Sequence, residues 1–205
     1  LRLSASHRGP DQTRPRLSSS MASKQSLKKA QDAQAKGHKA LTKFSFFGAG
    51  VSKYEDAAEC FDDAGKFFVL AKAYAEGGAA YAKAADLHAK AKGEFEAATS
   101  HSKAGEAFQK AGETDKCVAA YRSAVATFAG VGKCSMAANS AKKCAELLEA
   151  EASGGSSSDE NDPSLAAAVE LYREAVDYYE AENRPQAASS SREKIAYLTA
   201  RLGAY

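Results

Sequence analysis

Apolar residues return every three or four positions along most of this chain, which is the spacing of one face of an α-helix. Tyr74, Gly78, Tyr81, Ala85 and His88 form one such stripe. Val118, Tyr121, Val125 and Phe128 form a second, and Leu165, Val169, Tyr172, Val176 and Tyr179 a third. The pattern predicts helices near 24–42, 54–72, 74–91, 95–111, 115–129, 134–151, 163–182 and 185–202. Aromatic stripes at this spacing are core residues first, because rings in a helical array pack against the neighbouring helix. The punctuation agrees. Ser52 followed by Glu55 reads as a capping box, Gly93, Gly112 and Gly130 as helix ends, and Asp162-Pro163 as an N-cap with proline at the first helical position.

The stripes also repeat. Ala104-Gly105-Glu106-Ala107-Phe108 echoes Ala64-Gly65-Lys66-Phe67-Phe68, and Ala119-Ala120-Tyr121 echoes Ala79-Ala80-Tyr81, both at a separation of 40 residues. Tyr172-Arg173-Glu174-Ala175-Val176 echoes Tyr121-Arg122-Ser123-Ala124-Val125 at 51, and the surplus equals the Ser/Gly/acidic insert Ala152–Asp162. Forty residues is one helix hairpin. Gly65, Gly78 and Gly105 let antiparallel helices approach closely beside each aromatic knob. The expected fold is all-α, a right-handed α-α superhelix of tetratricopeptide-like hairpins.

Composition supports the same class. The chain of 205 residues holds 46 Ala but only seven Val, one Ile and six Thr, and its four Pro all lie outside residues 16–162. Alanine favours helix and sheets want β-branched side chains, so parallel-sheet nucleotide folds, sandwiches and barrels are excluded. No run of 18 apolar residues is present, so no membrane-spanning helix is expected. The net charge is +2, and residues 1–20 carry four arginines against Asp11, leaving the body slightly negative. That balance lacks the footprint of a nucleic-acid-binding protein. The expected organisation is a disordered leader at 1–22, helical repeats at 23–151, a disordered linker at 152–162 and a further hairpin at 163–205. Met21 reads as a start, and a transit peptide is the minority reading of the leader.

Catalytic chemistry finds little support. Cys60, Cys117, Cys134 and Cys144 lack CxxC spacing, and His38, His88 and His101 lack HExxH spacing, so neither metal nor cofactor is expected. Gly130-Val131-Gly132-Lys133-Cys134 has Thr127 and Cys134 where a phosphate loop needs Gly and Ser or Thr, and reads as an interhelical turn. Glu59, Asp62 and Asp63 read as solvated. Buried, reduced thiols and a non-enzymatic, cytoplasmic protein are the expectation.

One segment does not suit a solvated loop. Lys43-Phe44-Ser45-Phe46-Phe47-Gly48-Ala49-Gly50 sets three rings beside flexible glycines. Phe44, Phe46 and Phe47, with Gly48 and Gly50, read as a membrane-touching finger at 43–51, each inserted ring contributing roughly 1.5–3 kcal/mol. Lys43 and Lys53 flank it for an anionic membrane surface. The competing reading folds the rings back onto the first helix pair.

The run KFSFFGAGVSKYEDAAECFDDAGKFFVLAKAYAEGGAAY from Lys43 to Tyr81 resembles the α-SNAP (soluble NSF attachment protein) family, and the resemblance continues through GVGKCSMAANSAKKCAELLEAE to EKIAYL. It implies a peripheral-membrane adaptor that binds SNARE complexes, syntaxin-like bundles included, and links them to an NSF-type AAA ATPase in vesicle-mediated transport between ER and Golgi and in membrane fusion. It also implies that basic side chains on the repeats meet the bundle. Lys72, Lys133 and Lys194 fall on basic positions of the family, whereas Asn139 and Ser190 replace two others, for which Lys142 and Lys143 compensate. Stacking is expected to align Lys72, Lys133 and Lys194 along one side. The insert is longer than the family's turn, its Ser156–Ser158 run reads as a phosphorylation candidate, and the chain is expected to stop before the family's C-terminal bundle. The alternative is a generic tetratricopeptide-like scaffold gripping a peptide tail of a chaperone or other partner, with an enzyme of unknown type last.

Overall fold

A computed structural model describes residues 14–42, 51–154 and 162–203, with side chains described for 21–42, 51–152 and 162–203. These residues form α1 (Arg14–Thr42), α2 (Ser52–Leu70), α3 (Tyr74–Lys90), α4 (Glu94–Ala111), α5 (Thr114–Gly130), α6 (Cys134–Gly154), α7 (Pro163–Ala181) and α8 (Pro185–Arg201). Each helix packs chiefly on the next one in the chain, as stacked antiparallel hairpins require. The architecture is all-α, as the repeat implied. Helix α1 begins ten residues earlier than the stripe starting at 24, and α6 runs on to Gly154.

The three sequence stripes form the seams between hairpins. Tyr121 and Tyr172 are fully buried, Phe128 and Leu165 nearly so. Two rings occupy glycine-sized spaces at equivalent places in successive repeats. A Cβ on Gly65 would lie 2.8 Å from the Tyr81 ring, and one on Gly105 would lie 2.9 Å from the Tyr121 ring. In the third repeat the position 40 residues beyond Gly105 is Ala145, fully buried in the same core as Tyr172. Cys117 and Cys144 are also fully buried, and burial pushes both thiols up to about 11.

The short turns share one hydrogen-bond scheme. The amide after the turn donates to a carbonyl five residues back: Ala73 to Phe68, Gly93 to His88, Glu113 to Phe108, Lys133 to Phe128 and Arg184 to Tyr179, at 2.8–3.0 Å. The left-handed residue preceding it is Lys72, Lys92, Gly112, Gly132 or Asn183. Gly112 therefore ends its helix as expected. Gly93 does not, because Lys92 takes the positive φ, and Gly130 is still helical, with Gly132 making the turn. The expected capping box fails too: the N-cap is Val51, Ser52 is already helical, and no side chain caps α2. Asp162 does cap α7, its Oδ1 accepting from the Ser164 amide at 2.8 Å ahead of Pro163.

Antiparallel stacking sends alternate turns to opposite edges. Turns 71–73 and 112–113 lie on one edge. Turns 91–93, 131–133 and 182–184 lie on the other, with the ends of α1 and α2 that bracket residues 43–50. Ser135, just past the 131–133 turn, confirms this by donating to Glu182 and accepting from Arg184 at 2.8 Å. Those hydrogen bonds from Ser135 hold the Glu182 carboxyl below its ordinary range.

Candidate partner-binding face

The even-numbered helices lie side by side, joined by polar side chains rather than by backbone proximity. Ser100 on α4 donates to Asp62 on α2 at 2.8 Å. Lys143 on α6 meets Glu106 on α4 at 2.5 Å, and Lys194 on α8 meets Glu149 on α6 at 2.6 Å. Lys142 donates to Ser190 across the same α6–α8 seam at 3.0 Å. Asp62 is thus no solvated carboxylate: it also pairs with His88 of α3 at 3.0 Å, tying three helices at one point. Glu59 and Asp63 are exposed as expected.

This face carries a lysine row that follows the repeat. Lys103, Lys143 and Lys194 occupy equivalent positions on α4, α6 and α8, separated by 40 and then 51 residues. Lys103 escaped the reading of individual motifs, although the period alone identifies it. It lies over the Tyr81 ring at 5.6 Å and pairs with no carboxylate among the described residues. The face as a whole is balanced, since Glu106, Glu146, Glu149 and Glu193 stand among these cations.

The five lysines singled out from sequence do not fall on one line. Lys142, Lys143 and Lys194 come together on the even-numbered helices. Lys72 and Lys133 are exposed, but they sit in turns on opposite edges, 71–73 and 131–133. The expected alignment of Lys72, Lys133 and Lys194 along one side is therefore not what the stacking produces, because an odd number of helices separates the two turns. Phe44, Phe46, Phe47, Gly48 and Gly50 lie outside the described residues.

Two grooves open on this face. The groove between α6 and α8 is lined by Lys142, Glu146, Ser190, Glu193, Lys194 and Tyr197, with Tyr197 60% exposed. The groove between α4 and α6 differs in having an apolar end, where Phe128 forms the floor and Met136 part of the wall. No cluster of three or more His, Cys, Asp or Glu able to hold a metal occurs among the described residues. No described helix is long and apolar enough to cross a membrane. The lysines, carboxylates and apolar lining of these grooves can make reversible ionic and apolar contacts.

Comparison with known proteins gives one family. The family model described as "Soluble NSF attachment protein, SNAP" matches residues 28–205. No curated protein matches the chain. Among solved structures, the crystal structure of MamA protein aligns over 87% of this chain and 96% of that one, at 15% identity and a TM-score of 0.42.

Proposed function

Because the chain belongs to the soluble NSF attachment protein family, a family of non-enzymatic adaptors, we propose that it binds assembled SNARE complexes and links them to an NSF-type AAA ATPase at cytoplasmic membrane surfaces, in vesicle transport and membrane fusion. The observation that carries this reading is the width over which its candidate cations are spread. Lys103, Lys143 and Lys194 lie within the face, and Lys72 and Lys133 lie at its two edges. Helix α4 has 18 residues, so the face is about 27 Å across at 1.5 Å per residue. A single extended peptide or helix, about 10–12 Å wide, meets only part of that width, whereas a four-helix bundle about two helices across meets most of it. The lysines that already hold Glu106 and Glu149 exchange these partners for carboxylates on the bundle, each exchange being worth little.

The membrane role belongs to residues 43–51. The ends of α1 and α2 that bracket this segment share an edge with Lys92 and Lys133, so Phe44, Phe46 and Phe47, together with Gly48 and Gly50, provide a weak reversible contact while the face holds a bundle nearby. The test is competitive capture. Immobilised chain is offered an assembled SNARE bundle and a chaperone C-terminal peptide, with and without anionic liposomes. Capture of the bundle, improved by liposomes and reduced by Phe46→Ser with Phe47→Ser only when liposomes are present, is the expected result. Capture of the peptide in preference to the bundle overturns the reading.

A further inference from the structure

The groove between α4 and α6 has a chemical gradient along its length. At one end Met136, in the first turn of α6 and 37% exposed, lines the groove with Phe128, and Phe95, 41% exposed in the first turn of α4, flanks that lining. The Phe95 ring rests edge-on against Phe128, with centroids 6.0 Å apart. At the other end the walls carry Lys103, Lys143 and Glu106. The two helices run in the same direction, so the ends are separated by the rise from Phe95 to Lys103, or from Met136 to Lys143. Seven or eight residues at 1.5 Å each make that about 11 Å, close to two helical turns.

The middle of the groove points to an apolar occupant as well. Thr99 donates its hydroxyl to the Phe95 carbonyl at 2.9 Å, and Ser140 donates to the Met136 carbonyl at 3.0 Å. The Asn139 carbonyl oxygen is taken by the Tyr179 hydroxyl at 2.6 Å. These three groups, already hydrogen-bonded, lose little when water leaves, so at those points an incoming methyl or aromatic group need not replace a hydrogen bond. The space, about 290 Å³, suits a side chain or two rather than a larger ligand.

We propose that this groove is the anchor for one helix of an acidic partner bundle, taking an apolar side chain at the Phe95–Phe128–Met136 end and a carboxylate seven or eight residues along that helix at Lys103 and Lys143. The proposal rests on the reading of the chain as a SNARE-bundle adaptor and adds where the bundle seats. Lys103 is the receiving cation, since Lys143 must first release Glu106. The apolar contact supplies the part of the affinity that salt does not screen, and the lysines supply orientation.

Binding of an assembled SNARE bundle is measured for the wild type, Met136→Asp, Phe95→Ser, Lys103→Glu and the control Leu27→Ser, a similarly exposed apolar residue on α1. Thermal unfolding confirms that each variant folds, and an aspartate in the first turn of α6 suits a helix N-terminus. Met136→Asp and Phe95→Ser are expected to weaken binding about tenfold or more at both low and high salt, the scale of losing a well-packed anchor. Lys103→Glu is expected to weaken binding at low salt and to matter less at high salt. Leu27→Ser is expected to bind as the wild type does. Folded Met136→Asp and Phe95→Ser variants that bind as tightly as wild type overturn the anchor and leave the adaptor reading intact. A wild type that does not bind the bundle removes the adaptor reading, and the anchor with it.

Discussion

A glycine in mid-helix costs about 0.5–1 kcal/mol relative to alanine, yet Gly105 sits in the middle of α4. The Tyr121 ring is the reason, since it lies 2.9 Å from where a Cβ would be. Gly105→Ala is therefore expected to destabilise the protein by about 1–2 kcal/mol despite the better helix propensity, because the ring is fully buried and must move. Urea unfolding measures this, and a gain in stability would mean that the ring relocates freely. Lys72 is the opposite case. It holds φ at 63° in an exposed turn, a conformation costing a non-glycine residue roughly 1–2 kcal/mol. Lys72→Gly is expected to raise the unfolding midpoint by a few degrees, and an unchanged or lower midpoint contradicts that cost. Sequence motifs name glycine as the residue that ends helices, which is why Gly93 and Gly130 were read as helix ends. The left-handed conformation falls on Lys92 and on Gly132 instead, since the hydrogen-bond scheme fixes which residue turns left-handed, and only the lysine is strained by it.

At the scale of elements, the period of 40 residues was legible because successive repeats bury a tyrosine ring against a small residue. Tyr81 beside Gly65 and Tyr121 beside Gly105 are that constraint written twice. What holds the even-numbered helices to one another was not legible, because it depends on side chains 37 to 48 residues apart in the chain. Asp62 is the clearest instance: it resembles its exposed neighbours Glu59 and Asp63 in sequence, but binds His88 and Ser100. His88 is 8% exposed and Ser100 1% exposed. Asp62→Ala leaves both without that partner and is expected to cost about 1–3 kcal/mol. Ser100→Ala removes a hydroxyl together with its need for a partner and should cost less. Denaturant titration of the two variants checks the order, and an equal or reversed order would show that the three-helix knot contributes little.

At the scale of the whole molecule, charge is distributed rather than concentrated. The even-numbered face sets Lys103, Lys142, Lys143 and Lys194 among four carboxylates, so a net positive field does not explain recognition. In the proposed reading register does, because the lysine row recurs with the repeat and a regular partner surface would meet it many times. Of the lysines named from sequence, Lys143 and Lys194 belong to the row, Lys142 sits beside it, and Lys72 and Lys133 lie on opposite edges because turn positions alternate with helix number; Lys103 completes the row. The central claim is that this face holds an assembled SNARE bundle through many weak ionic contacts around an apolar seat. Calorimetric titration of the bundle into the full chain, at about 50 mM and about 500 mM salt, tests it most directly. Measurable binding at the lower salt, weakened about tenfold or more but not abolished at the higher, is the predicted result; no binding at low salt, or an affinity indifferent to salt, would contradict it.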